Sequence, residues 1–378
     1  MNIQIITSSY PAYPDDPSGT AGLFVRAFAM ELQQQGHQAV IHPIARKQRY
    51  TPDEGLIIDP LPWLGGDREL ASLNFYSPFN WFIVLVFFLS ARKKIIQAHR
   101  QYGIDRTLCM WAVPAGLLGY AMKKAINRPY DVWALGSDIW KIRKIPLFGP
   151  FLLKKIIGSA ERVFADGLEL CRDVEEISGR QCEFLPSSRD LPGRWLARKE
   201  SLDDDRVKLL FVGRYHYNKG PDLLLDAVRQ LSQESKAKLD LRMYGVGSMK
   251  KKLTKYVRQH NLASFVSVND GIEAQKFADE LSQADYLVIP SRIESIPVVF
   301  SDAMQMGTPV IATPVGDLRA LIAEHGCGVL VDDVSVNSLA RALAAVLSRG
   351  RRNDYTEKAK ALGRTYRVSK VVDKWLLS

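Results

Sequence analysis

The chain has 378 residues, 47% of them apolar and 24% charged, which exceeds what a single hydrophobic core usually serves and predicts two domains. No long Ser-, Gln- or Glu-rich stretch interrupts it, which excludes a disordered chain. The formal net charge is +10, and residues 85–160 alone carry thirteen Lys or Arg against Asp105, Asp131 and Asp138, a surplus equal to that of the whole chain. Such a block suits phosphates, nucleic acid or an anionic membrane surface, and equally a plain solvated face.

In chain order, residues 1–6 (MNIQII) lack the regions of a signal peptide and open a first buried strand over 3–7, so a cytoplasmic location is expected. A Pro/Gly/Asp loop over 8–22 precedes a helix over 23–35, closed by Gly36, and a strand over 39–43. The run 81–90 (WFIVLVFFLS) is half the roughly 20 residues that a membrane-spanning helix needs, and reads as a core helix or an interfacial one ahead of Arg92-Lys93-Lys94. Strands follow over 107–111 and 130–135, as in a parallel sheet covered by helices. Residues 189–205 lose apolar periodicity and read as the linker region. Strands over 207–212, 239–244, 265–268, 286–289 and 310–312 then alternate with helices over 221–231, over 249–259 and near Phe277, a second doubly wound sheet. The segment 346–378 is basic and helical. The cysteines, Cys109, Cys171, Cys182 and Cys327, are scattered without metal-ligand spacing and read as reduced.

Two constellations carry chemistry. In the first, a strand ends at Gly213, Arg214 and Lys219 follow five residues apart, and Pro221 with Asp222 starts a helix. Both cations thereby reach the C-terminal edge of a sheet, where they can grip a diphosphate and offset the charge it gains on leaving. In the second, the strand over 286–289 leads through Ser291, Arg292, Ile293, Glu294 and Ser295 into a helix over 297–306, stopped by Gly307 and Pro309. Its start is an anion site, with the N–H groups of Ile296, Val298 and Val299 as donors because Pro297 has none. Glu294 can accept from sugar hydroxyls, and Asp302 can reach a ribose diol or be an ordinary surface residue.

Gly213-Arg214 to Lys219-Gly220, then Pro290-Ser291-Arg292-Ile293-Glu294 with seven residues to Asp302, then Met306-Gly307-Thr308-Pro309-Val310-Ile311-Ala312-Thr313, resemble the donor-binding half of glycosyltransferase family 4. The resemblance implies the α/β GT-B fold, two Rossmann-like doubly wound parallel-sheet domains facing across a cleft. It divides the chain into 1–192, a linker over 193–205, a donor domain over 206–355, and a helix over 356–378 returning to the first domain. It implies a retaining hexosyltransferase using a UDP- or GDP-sugar without metal or other cofactor. Arg214 and Lys219 become the diphosphate ligands and Glu294 the partner of the donor sugar. Gly213, Ser295 and the glycine turn at Gly245 line the donor, Asn269 falls where the base stacks, and Asp302 stands where the family has a glutamate on the ribose.

In the first half, Gly19 and Gly22 match the glycine loop that approaches the donor phosphate. Trp111 to Gly116 and Gly136-Ser137-Asp138 resemble acceptor-side motifs. Met110 and Leu135 stand where relatives often carry histidines. Asp138 is the leading acceptor-side candidate, or else caps the next helix. No metal-ligand constellation is evident, since Asp203-Asp204-Asp205 lies in the linker. The expected acceptor is a glycan or a lipid-linked glycan of cell-surface polysaccharide, with an anionic membrane surface as a further partner and no nucleic acid. The competing readings are a sugar-nucleotide epimerase, a phosphorylase on the same fold, and a non-catalytic membrane-binding or nucleic-acid-binding scaffold.

Overall fold

The computed structural model describes residues 1–11, 22–44, 50, 55–66, 70, 73, 77–191, 206–350 and 354–378. Gly19 and the linker over 193–205 lie outside them. The described residues form two compact units, one holding those up to Pro186 together with Val372–Ser378, the other those from Ser187 to Val371.

The first unit is built from β1 (Asn2–Thr7), α1 (Leu23–Gln34), β2 (Gln38–His42), β3 (Ile57–Ile58), α2 (Pro78–Gln101), β4 (Arg106–Met110), α3 (Leu117–Ile126), β5 (Asp131–Ala134), α4 (Ser137–Arg143), α5 (Phe148–Gly158), β6 (Val163–Ala165), α6 (Leu168–Ser178) and β7 (Glu183–Phe184). Its strands pair in parallel in the order β3-β2-β1-β4-β5-β6-β7, with Ile5 between Ile41 and Leu108. Strands buried on both faces read as mostly apolar runs, which is why β1 and β4 were visible in sequence despite the buried Gln4 and Thr107.

The apolar run 81–90 turns out to be part of the 24-residue α2, and neither a core nor a surface assignment describes it fully. Ile83 and Phe87 are buried, while Phe79, Trp81, Phe82, Leu85 and Leu89 are exposed. Among the described residues, no helix is long and apolar enough to cross a membrane.

The second unit is built from β8 (Val207–Val212), α7 (Pro221–Gln230), α8 (Gln233–Ala237), β9 (Leu239–Tyr244), α9 (Lys250–Gln259), β10 (Val266–Asn269), α10 (Ala274–Gln283), β11 (Tyr286–Ile289), α11 (Val298–Gln305), β12 (Val310–Ala312), α12 (Leu318–His325), β13 (Gly328–Leu330), α13 (Val336–Arg349) and α14 (Thr356–Gly363). Its parallel strands run in the order β10-β9-β8-β11-β12-β13. Leu209, Phe211, Leu224, Leu241, Val288 and Leu343 belong to one buried cluster beneath α7 and α13.

The segment over 346–378 is broken into the end of α13, α14 and α15 (Val368–Leu377). The last seven residues belong to the first unit. There Trp375 is fully buried with its ring 5.7 Å from that of Phe28, and Arg106 stacks on it at 4.3 Å. Arg106 and Arg162 also donate to the carbonyls of Leu376, Trp375 and Ser378, satisfying acceptors that the end of any helix leaves open.

Candidate active site

In the second unit the strand order reverses direction between β8 and β11, the switch point at whose carboxyl ends open α/β sheets bind ligands. The loops that leave those two strands carry Arg214 and Lys219 on one side and Glu294 on the other. Lys219 closes a short turn over Tyr217–Lys219, held at its start by the Asn218 N–H donating to His216 Nδ1. Its ammonium donates to Glu294 Oε2, and Ser291 Oγ donates to the same oxygen at 3.3 Å. Both members of the pair are partly buried, with 26% and 14% of the side chains exposed. Arg214 is exposed and, among the described residues, makes no ion pair.

The two loops approach each other as closely as backbone allows. Gly220 has a φ of +66°, and a Cβ there would stand 1.9 Å from the carbonyl oxygen of Pro290. A residue without a role in the motif reading closes the seam. The Arg292 N–H donates to Asn218 O at 2.7 Å, and its guanidinium donates to Tyr217 O at 2.7 Å and to both oxygens of Asp222 at 2.8 and 3.0 Å. It also lies 3.9 Å over the Tyr217 ring. A planar fork that pairs with a carboxylate and stacks at once fixes orientation as well as charge.

The Glu294 loop is supported from the β12 side as well. Thr313 Oγ1 donates to Ser291 O at 2.6 Å, and Gly316, at φ +50°, passes so close that a Cβ would stand 2.2 Å from Glu294 O. Neither contact leaves a sequence signal beyond a glycine and a threonine after a strand.

Helix α11 begins one residue later than the expected 297, with Pro297 at its N-cap, and ends at Gln305. Phe300 N–H is taken by Pro297 O, which leaves the amides of Val298 and Val299 without an intrahelical partner, at the positive end of the dipole. Ile296 and Ser295 are buried immediately before them.

Asp302 is not the surface residue that was one of its two readings. Its side chain is fully buried, and Arg189 Nη2 and Nε donate to it at 2.9 and 3.2 Å. Burial raises its carboxyl from the ordinary range, and the Arg189 charge opposes that rise. The same stretch of chain is fastened to α11 by Gln305, whose amide donates to Arg189 O at 3.0 Å, and by Ser301 Oγ donating to Ser187 O.

Gly213 and Gly245 meet at the ends of β8 and β9, where a Cβ on Gly245 would stand 2.0 Å from Gly213 O. Tyr215, fully buried between the cations, donates its hydroxyl to Asn269 O at 2.8 Å and its N–H to Val246 O. The amide of Asn269 is half-buried and donates to Met243 O.

In the first unit the corresponding reversal falls between β1 and β4. Gly22, at φ +64°, precedes α1, and a Cβ there would meet Ser9 O at 2.7 Å. Trp111 leaves β4 with a φ of +75°, and Ala112 N–H donates to Asp138 Oδ2 at 2.5 Å. The other Asp138 oxygen accepts from Leu135 N–H at 3.2 Å. Asp138 therefore joins the loop after β4 to the loop after β5 and is itself buried, with Gly136 buried and Ser137 exposed beside it. Burial pushes its carboxyl up to about 6 against the pull of these backbone donors. Met110 is fully buried.

Residues 194–362 match the family described as Glycosyl transferases group 1. A D-inositol 3-phosphate glycosyltransferase of Geodermatophilus obscurus is 32% identical over 52% of this chain and 47% of its own, and a putative teichuronic acid biosynthesis glycosyltransferase, TuaC of Bacillus subtilis, 28% identical over 62% and 59%. The matched region thus spans about half the length of these curated relatives. Among solved structures, sucrose-phosphate synthase from Thermosynechococcus elongatus superposes with a TM-score of 0.77 at 19% identity, covering 100% of this chain and 98% of that one. HepE from Anabaena in complex with UDP-glucose does so at 0.69 and 15%, covering 100% and 99%. The chain is a GT-B protein of two Rossmann-like units, and its residues 194–362 match the family model of the group 1 glycosyltransferases.

Proposed function

We propose that the chain transfers a hexosyl group from a UDP- or GDP-sugar to an acceptor hydroxyl, with retention of anomeric configuration. The observation that carries this reading is the Lys219–Glu294 pair at the switch point, on loops that also carry Arg214 and lead into the first turn of α11. A diphosphate seated there meets two cations and two free amides, and the leaving charge is met by groups already in position. The cations supply charge that a divalent ion would otherwise supply, so transfer runs in EDTA. Glu294, released from Lys219 by the incoming phosphate, accepts from hydroxyls of the donor sugar. Retention follows if a departing phosphate oxygen takes the acceptor proton, which needs no general base and is compatible with Met110 and Leu135 in place of histidines.

The HepE complex with UDP-glucose supports a nucleotide-sugar donor, and the teichuronic acid biosynthesis in the name of TuaC supports a glycan acceptor, which we take to be lipid-linked at the inner face of the cytoplasmic membrane. Asp138 orders the acceptor-side loops around Trp111, Gly136 and Ser137. Titration calorimetry with a panel of UDP- and GDP-sugars in EDTA tests the donor reading: one donor binds, and Lys219→Ala abolishes its heat. Absence of binding by every member rejects it. Product analysis with donor alone separates transfer from epimerisation, which needs no acceptor.

A further inference from the structure

The first unit exposes large apolar side chains in two places that nothing in the chemistry above uses. On α2 they are Phe79, Trp81, Phe82, Leu85 and Leu89, each more than half exposed. At the turn between α4 and α5 they are Leu147, at 91% exposure, with Phe148 and Phe151. Soluble surfaces scatter such residues singly; groups of this size mark an interaction surface.

Topology puts both groups at one edge of the unit. Helix α2 runs down into β4 and α5 runs down into β6, so their starting turns both stand at the carboxyl edge of the parallel sheet. Phe87, Ala91 and Ile95 of α2 and Leu153, Ile156 and Ile157 of α5 enter the same buried cluster, which places both helices on the same side of that sheet. The loops of Trp111 and Asp138 leave the sheet at that edge too.

Charge identifies the occupant. Residues 137–158 hold five Lys or Arg and a single acid, the buried Asp138. Arg143 is taken by Asp173 and Glu176, whereas Lys141, Lys144, Lys154 and Lys155 are exposed, the last 4.9 Å over the Phe151 ring. Along the outer side of α2 the apolar side chains give way within one turn to the exposed Arg92 and Lys93. From Phe79 to Leu89 the helix rises about 15 Å, more than the roughly 5–10 Å to which an interfacial apolar face is buried. Aromatic and aliphatic groups that end in a rim of lysines match an anionic lipid surface, whose phosphates take the cations while the rings enter the acyl boundary.

We propose that this edge of the first unit is a docking surface for an anionic bilayer. It rests on the transferase reading only for its purpose, which is to hold the acceptor-side loops beside a lipid-linked substrate. The test is flotation of the full chain with vesicles of phosphatidylcholine alone and with 30% phosphatidylglycerol. Binding to the anionic vesicles is expected to be at least tenfold stronger and to weaken with added salt. Leu147→Ser with Phe148→Ser should abolish it, and each of Lys154→Gln and Lys155→Gln should weaken it about fivefold. The thermal shift of every variant with the nucleotide sugar should match wild type, so a failed donor site and a failed docking surface are told apart. Equal recovery with both vesicle types overturns the proposal. So does a dimer in sedimentation equilibrium that the Leu147→Ser, Phe148→Ser variant dissociates while vesicles recover no protein.

Discussion

Lys219 and Glu294 reach each other across the point where the second sheet changes winding direction, and 75 residues of chain separate them. The pair is preset by backbone, because the loops carrying it are packed without room for a side chain at Gly220. Lys219→Ala and Arg214→Ala are each expected to lower kcat/KM by roughly two to three orders of magnitude, the usual loss when one donor to a developing negative charge is removed. Steady-state kinetics against the preferred nucleotide sugar measures this. A change below fivefold in both would remove these cations from the diphosphate grip.

Arg292 acts at one remove, by holding the Tyr217–Asn218 segment against its own loop. Arg292→Ala should raise the KM for the donor about tenfold while kcat changes little, with a stability loss of about 1–3 kcal/mol from the severed charge-assisted bonds. Arg292→Lys keeps the charge and loses the bidentate fork, so it should recover less than half of the effect. A kcat loss at unchanged KM would contradict a positioning role.

Asp302 and Arg189 offer a sharper choice. Removing one member of a buried pair strands the other, and Asp302→Ala is expected to destabilise by about 3–5 kcal/mol. Urea unfolding of Asp302→Ala, Arg189→Met and the double variant should show strong coupling, with the double variant more stable than Asp302→Ala. If the carboxylate instead serves the ribose, the single variant unfolds like wild type and loses donor affinity.

Burial holds Asp138 at about 6, above the roughly 3.9 of an unfolded aspartate. Between these values the folded state keeps a proton that the unfolded state has released, so stability falls as pH rises from about 4 to 6 and then levels off. Denaturant midpoints for wild type and Asp138→Asn across pH 4 to 7 should differ by a slope amounting to about 3 kcal/mol over that window. A parallel pair of curves would show that Asp138 stays ionised throughout.

The strands and the two sheets were legible because parallel strands buried on both faces are mostly apolar, as in residues 286–289 and, apart from Lys208, 207–212. Lys219 and Glu294 were legible because a strand, a tight loop and a helix start fix where such residues point. Arg292 was not, since its partner Asp222 is 70 residues away and looks from sequence like an ordinary first-turn acid. Nor was the environment of Asp302: position in a helix says nothing of whether a distant arginine covers it. The apolar run at 81–90 gave composition without direction, and only the packing of Ile83 and Phe87 shows which side of α2 is left outside.

The contact of Gly220 with Pro290 also bears on how such a site can be rebuilt. Two loops that share a seam this tight form a single module, and a chimera that imports one of them from a relative of different donor preference inherits half a joint. Exchanging 213–222 together with 290–295 preserves the fit; exchanging either alone does not, whatever side chains it brings.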